Sequence, residues 1–244
     1  MASGRFTERA TVYAASRPSY PDDAIDRILA AHPGPSDVVD IGAGTGISSR
    51  LIAQRGHRVI AVEPDDAMRE RGCAAGGDIE WHRGRGEHTG LPDASADIVL
   101  CAQAFHWLDA AAATAEFRRI LRRPGRIALM WNVHDVSVPL MAAYREIMLR
   151  HATDPPRSPW YRGFNDALAG AAVDLDFSVS RHRMSQVVDR EGLLGRALSS
   201  SYVPMEGPGH AALCVDLDHL FEAHCEGEQL TLWYETSVYI AEVT

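Results

Sequence analysis

Apolar positions along this chain follow two alternating periods. From residue 22 to about 131, short apolar runs alternate with stretches whose apolar residues recur at helical spacing. Ala24, Ile25, Ile28 and Leu29 predict a helix over 22–31, started by Pro21 and broken by His32-Pro33-Gly34-Pro35. Runs at 38–41, 59–62, 79–83, 96–101 and 126–131 read as strands. Between them, 45–55 reads as a helix terminated by Gly56. A second helix starts after Pro64, with Asp65 or Asp66 as its cap, and runs to about Gly72. A third covers 110–122, ahead of a turn at Pro124-Gly125. The segment 84–96 is polar and turn-rich. Short apolar strands separated by helices imply a parallel sheet covered on both faces.

The rhythm changes after Asn132. A helix is expected over 138–151, then the proline-rich loop Asp154-Pro155-Pro156-Arg157-Ser158-Pro159 and a short helix over 160–168. Such an insertion after the fifth strand is a natural place for a lid. Residues 177–188 alternate like a strand, 189–199 and 210–225 read as helices, and 230–243 reads as a final strand, with Leu232, Tyr234, Thr236, Val238 and Ile240 on alternate positions. The length of 244 residues suits one α/β domain. Its expected parts are an entry segment and helix (1–36), a core (37–131), the lid-like insertion (132–175) and C-terminal strands and helices (176–244).

Charge and cysteine usage narrow the partners. A net charge of −9 argues against nucleic acid and against an anionic membrane surface. The dense basic cluster Arg118, Arg119, Arg122, Arg123 and Arg126 ends a predicted helix, where cations suit the macrodipole, and reads as a solvated helix end. All 24 basic residues are arginine, so no side chain can form a Schiff base. Cys73, Cys101, Cys214 and Cys225 lack metal-type pairing, and His219 and His224 lack the spacing of a zinc helix, so no metal site is expected. A reduced, cytoplasmic protein is the natural expectation. Met1 to Arg9 is polar, no signal peptide is expected, and no apolar run approaches the roughly 18 residues of a membrane span.

The chemistry concentrates in Val38-Val39-Asp40-Ile41-Gly42-Ala43-Gly44-Thr45-Gly46 and Val59-Ile60-Ala61-Val62-Glu63. Each apolar run ends in an acid, and three glycines at alternate positions follow the first. This is strand, tight turn, helix, strand. Glycines admit positive φ and close approach of a ligand to the backbone. An acid ending the second strand lies within reach of a ribose held over the turn. A dinucleotide fingerprint is G-x-G-x-x-G, whereas Ile47 stands at its third glycine position here, and a chain without lysine has no P-loop. A compact ligand with a ribose and no phosphate fits the turn. The bland alternative, a glycine-rich turn with no ligand, leaves the placement of Glu63 unexplained.

The first string resembles motif I of the class I S-adenosylmethionine (SAM) dependent methyltransferases, and Glu63 resembles their ribose-binding acid. Tyr13-Ala14-Ala15-Ser16-Arg17-Pro18-Ser19-Tyr20-Pro21 and Ala102-Gln103-Ala104-Phe105-His106-Trp107 are similar to segments of the small-molecule subgroup that includes the trans-aconitate methyltransferases. The specific resemblance spans about 10–131. It implies a Rossmann-like, mostly parallel seven-stranded sheet with helices on both faces and a helical lid insertion after strand five. It also implies SAM as cofactor and S-adenosylhomocysteine (SAH) as product.

By the same resemblance, Gly42, Gly44 and Gly46 give backbone access to the methionyl part, and Asp40 orders the turn or meets the ammonium through water. Glu63 holds the ribose hydroxyls, Pro64 and Met68 sandwich the adenine, Gly86 and Glu87 lie under its amino edge, and Gln103 lies beside the sulfonium. Arg17, with Tyr13 in the same entry segment, is the candidate partner of the SAM carboxylate. Each has a plainer alternative: Met68 suits a core, and Arg17 and Glu87 suit a solvated surface.

The expected activity is methyl transfer to a small-molecule acceptor, at O, N or C, with a place in secondary metabolism. The aromatics Tyr20, Trp107, Trp131, Trp160, Tyr161 and Tyr202, with Tyr13, suggest an apolar or planar acceptor, or else lid and core packing. His106 is either a catalytic base, since imidazole titrates near neutrality, or a ring that holds its loop by hydrogen bonds. A non-catalytic SAM-binding or regulatory protein on the same fold is the alternative function. A nicotinamide-dependent dehydrogenase is disfavoured by the glycine spacing. A monomer or homodimer is expected.

Overall fold

The computed structural model describes residues 16–30, 34–153, 175–200 and 202–244. Five strands run from the amino-terminal half: β1 (Asp37–Ile41), β2 (Arg58–Val62), β3 (Ile79–His82), β4 (Ala96–Ala102) and β5 (Leu121–His134). Two come from the carboxyl-terminal half: β6 (Ser178–Val188) and β7 (Leu230–Val243). They form one sheet in the order β3-β2-β1-β4-β5-β7-β6. The pairs among β1 to β5 are parallel, and β7 runs antiparallel to both β5 and β6.

The helices are α1 (Asp22–Leu29), α2 (Ile47–Ala53), α3 (Asp66–Ala74), α4 (Ala110–Ile120), α5 (Pro139–Arg150), α6 (Arg190–Leu198) and α7 (Gly207–His224). On one face of the sheet, Ile25 and Ile28 of α1 and Ile52 of α2 pack on Val38, Ile98, Leu100 and Met130. On the other, Phe117 and Ile120 of α4 pack on Val39, Val99, Ile127 and Leu129. Both faces are therefore apolar, which is why β1 and β4 read as continuous apolar runs. A third cluster joins α5, α6 and α7 to Leu232 and Tyr234 of β7.

Three expectations change. First, β5 begins at Leu121, where Leu121 pairs with Ala96 before a register shift, and it continues past Trp131 to His134 because β7 pairs with it as far as His134 and Tyr234. Second, the arginine cluster is not a solvated helix end. Arg119 binds Glu116 and Asp93, Arg122 binds Asp37 and Asp97, and buried Arg126 binds Glu242 and the carbonyl of Ile28. Third, α5, the described helix of the lid-like insertion, is rooted in a core: Met141, Tyr144 and Met148 are fully buried. The rest of that insertion, 154–174, lies outside the described residues.

Candidate active site

The chain reverses its winding direction between β1 and β4, and open α/β sheets bind ligands at such a switch point, beyond the carboxyl ends of the strands. The turn after β1 lies there. Gly42, Gly44 and Gly46 all have positive φ, at 66°, 59° and 75°. At Gly42 a side chain is doubly excluded, since a Cβ would stand 2.5 Å from the Ala104 Cβ. The turn is pinned by Gly42 and Ala43 N–H groups donating to the Val62 carbonyl. A cleft opens over it, enclosing roughly 940 Å³ with the solvent at its mouth.

Glu63, 7% exposed, sits in the cleft wall at the end of β2. Its Oε2 accepts from the Gly44 N–H at 2.8 Å and its Oε1 from the Asp65 N–H at 2.8 Å. Among the described residues no cation pairs with it. Two backbone donors hold each oxygen by one side and leave lone pairs for further hydroxyl donors. Burial pushes its pKa up, and the two N–H donors partly offset this. The acid is thus a preset acceptor, the chemistry a vicinal diol requires.

Asp40 lies beneath the turn and not on the cleft wall. Its Oδ2 accepts from Ser48 and Ser49 of α2 at 2.7 and 2.6 Å, so it joins the strand end to the first turn of the helix. Its Oδ1 is buried without a partner among the described residues. Burial raises its pKa to about 6 against those hydroxyls. Gly46 also stays off the wall. Its missing side chain makes room for Trp81, since a Cβ there would meet the indole at 2.9 Å.

The cap of α3 is Asp65, which accepts from the Met68 N–H at 3.0 Å and fixes the helix under the cleft. Pro64 and buried Met68 form its apolar wall. Gly86 and Glu87 close another side, and Glu87 also accepts from the Asp109 N–H at 3.0 Å, tying this loop to α4. Gln103 lines the cleft in the left-handed region, φ 57°, a strained conformation for a residue with a side chain. Its N–H donates to the Met130 carbonyl and its Nε2 to the Asn132 carbonyl at 3.4 Å. Arg85, Ala104 and Leu108 also line the cleft and went unread in the sequence, since loop residues carry no periodic signal.

The remaining candidates divide. Trp107, 38% exposed, lines the cleft in the single 3₁₀ turn Phe105–Trp107. Trp131 does not: it is fully buried in the core against Tyr239, at a position of β5 facing α4. Tyr202 is likewise a core residue, in the cluster of α5, α6 and α7, and not part of the cleft wall. Tyr20 packs against the α1 core. Arg17 lies off the cleft wall, its Nη2 donating to the Ser199 carbonyl at 3.4 Å. Tyr13, Trp160 and Tyr161 lie outside the described residues.

His106 does not line the cleft wall. Its Nδ1 faces the Trp131 indole N–H at 3.5 Å, which requires the acceptor form at Nδ1 and places the ring proton on Nε2. Burial, helped by the charge of Arg17, lowers its pKa to about 3. Burial thus favours the neutral ring, which the Trp131 contact uses. Among the described residues no cluster of His, Cys, Asp and Glu fits a metal ion, and no helix is long and apolar enough to cross a membrane.

A seven-stranded sheet with this order and an acid-backed glycine cleft at its switch point defines the class I methyltransferase fold. A family model described as a methyltransferase domain matches residues 39–129. The chain is 41% identical over 145 residues to an uncharacterized methyltransferase of Mycobacterium tuberculosis, covering 59% of this chain and 58% of that protein. It is 29% identical over 132 residues to a Saccharomyces cerevisiae protein named for S-adenosylmethionine-dependent methyl transfer, covering 50% and 45%. These matches span less than two thirds of the relatives' own length. The structure is similar to that of a type II methyltransferase candidate from Anaeromyxobacter dehalogenans, with a TM-score of 0.69 at 22% identity over 93% of this chain and 97% of that one.

Proposed function

We propose that this chain transfers the methyl group of SAM to a small-molecule acceptor. The single observation that carries the reading is Glu63, an acid set at the end of β2 by two backbone N–H groups, paired with no cation among the described residues and open to a cleft walled by glycine turns and Met68. SAM, when bound, supplies a methyl already activated on a sulfonium. The protein has then to bind, orient and dry the site.

In this reading Glu63 takes the ribose hydroxyls, and Gly42 and Gly44 let the methionyl part lie against the backbone. Pro64 and Met68 flank the adenine. Gly86 and Glu87 close over its edge. Asp40 works from below, through Ser48 and Ser49, by holding the turn against α2. Gln103, Trp107 and Leu108 border the end where the acceptor enters, and their bulk excludes water. His106 positions that turn through Trp131. The strings around Arg17 and His106 support a finer placement near the trans-aconitate methyltransferases.

Calorimetry with SAM, SAH and NAD, followed by a mass-spectrometric screen of SAM with small acceptors, tests this. SAM and SAH should bind, and at least one acceptor should gain a methyl. Tighter binding of NAD would overturn the cofactor reading. Binding of SAM without turnover across the panel would leave a SAM-binding regulatory protein.

A further inference from the structure

A second polar cluster lies beyond the cleft, between the ends of β5 and β7 and the helices α5 and α6. At its centre is Arg196 of α6, 6% exposed. Its Nε donates to the Tyr234 hydroxyl at 3.1 Å, its Nη1 to the Ser199 hydroxyl at 3.1 Å, and its Nη2 lies 3.4 Å from the His134 Nε2. The guanidinium also lies 5.8 Å from the Tyr234 ring centroid. Every one of these partners is neutral. Among the described residues no carboxylate reaches Arg196. Buried guanidinium is charged under all conditions, and a buried charge without a counter-charge is costly. A guanidinium has five N–H donors, and the three contacts leave one on each terminal nitrogen, the fork that receives a carboxylate.

A second, independent group points the same way. Tyr144 of α5 is fully buried and its hydroxyl has no hydrogen-bond partner among the described residues. Its ring meets the His134 ring edge-on at 5.3 Å, and its hydroxyl lies in the field of Arg196. The His134 ring is held neutral, its pKa pressed well below the usual value by burial and by the charges of Arg196, Arg17 and Arg145, so positive charge dominates the cluster. The cluster neighbours the cleft along β5: cleft residue Gln103 donates to the Asn132 carbonyl, and His134 lies two residues further along the same strand, about 7 Å on.

On the methyltransferase reading above, we propose that Arg196 and Tyr144 form an anchor for a carboxylate of the methyl acceptor. A carboxylate so held has its lone pairs engaged and its charge neutralised, which makes it a poor nucleophile. The acceptor class is therefore bifunctional, with an anchored carboxylate at one end and a separate nucleophilic atom presented toward Gln103.

The test is calorimetry on the SAH-loaded full chain with benzoate, phenylacetate, succinate and glutarate, each against its uncharged primary amide. At least one carboxylate should bind about tenfold more tightly than its amide, the scale of a charge-assisted contact. Arg196→Met should abolish that preference and Arg196→Lys should restore part of it. Tyr144→Phe removes a hydroxyl that no protein group uses. It should leave the melting temperature at or above wild type while weakening the carboxylate about fivefold. That variant decides the matter if Arg196→Met does not fold. The anchor is overturned if no carboxylate outbinds its amide, or if Tyr144→Phe leaves the preference intact. SAH affinity is measured in the same titrations; its absence would sink the methyltransferase reading without touching the anchor.

Discussion

The cleft over β1 and β2 and the polar cluster around Arg196 are built on opposite principles. The cleft is made of backbone and of residues close in sequence: a glycine turn, the acid ending the next strand, and the capped helix that follows. Its key acid is preset by two main-chain N–H groups. The Arg196 cluster assembles side chains from β5, α5, α6 and β7, and of these only β5 and α5 follow one another through a short turn, at 135–138. A site made of backbone geometry suits a constant ligand, since the main chain offers few ways to change it. A site made of side chains on separate elements suits a ligand that differs from one relative to the next. Perturbing the first should hit cofactor binding, and at its glycine turn the fold as well, while perturbing the second should leave the cofactor untouched.

The largest break in that contrast should come at Gly42. Gly42→Ala combines a positive φ with a Cβ 2.5 Å from the Ala104 Cβ. A destabilisation of about 2–4 kcal/mol is expected in denaturant unfolding, from strain plus overpacking. A change within about 0.5 kcal/mol, the range of an ordinary surface substitution, would mean the turn is not the tight element described.

Glu63→Ala should weaken SAM binding by about 1.5–3 kcal/mol, the worth of hydrogen bonds to a charged group. The fold should survive, because the Gly44 and Asp65 N–H groups it frees border an open cleft and can turn to water. Unchanged affinity by calorimetry in a folded variant would remove the ribose assignment.

Asp40 tests the coupling of the cleft to the fold beneath it. Its pKa is raised to about 6 by burial, so the native state holds this proton more tightly than the unfolded chain does. Its contribution to stability is greatest at acid pH and is lost as pH rises from about 4 through about 6. Wild type should lose about 1–3 kcal/mol more than Asp40→Asn between pH 4.5 and 7.5. Parallel losses in the two proteins would show that the carboxyl is solvated.

The smallest effect is expected at His106. Its ring is neutral and turned to Trp131. His106→Gln should lower the melting temperature by a few degrees, as loss of one buried hydrogen bond does, with kcat within about threefold of wild type. A fall in kcat of about 10²–10⁴ with normal thermal stability would restore the base.

The same contrast explains what could be read in advance. The strands from Val38 to Trp131, the Asp65 cap, the glycine turn and Glu63 were legible because each depends on residues within one strand-turn-helix unit. Local periodicity and φ requirements are sequence properties. Gly46 shows the limit. Its glycine is needed, and its position in the string suggests a ligand contact, yet Trp81 from β3 is what occupies the space. Trp131 and Tyr202 read as pocket aromatics because composition cannot say which way a ring faces; alternation along β5 and packing of α5 to α7 turned both into core.

By itself, the sequence determined the class of the fold, the place of the glycine turn and the acid beside it. Short-range backbone geometry permits few arrangements of Asp40, three glycines and Glu63. Only the tertiary structure decided that Asp40 works from below the cleft, that Arg126 and its neighbours are structural, that His106 is a neutral ring, and that Arg196, Tyr144, Tyr234 and His134 meet. Those outcomes depend on burial and on pairings between distant segments, above all the antiparallel register that carries β5 to His134 beside Tyr234. Such pairings are set by the packing of the whole sheet and leave no local pattern in the chain.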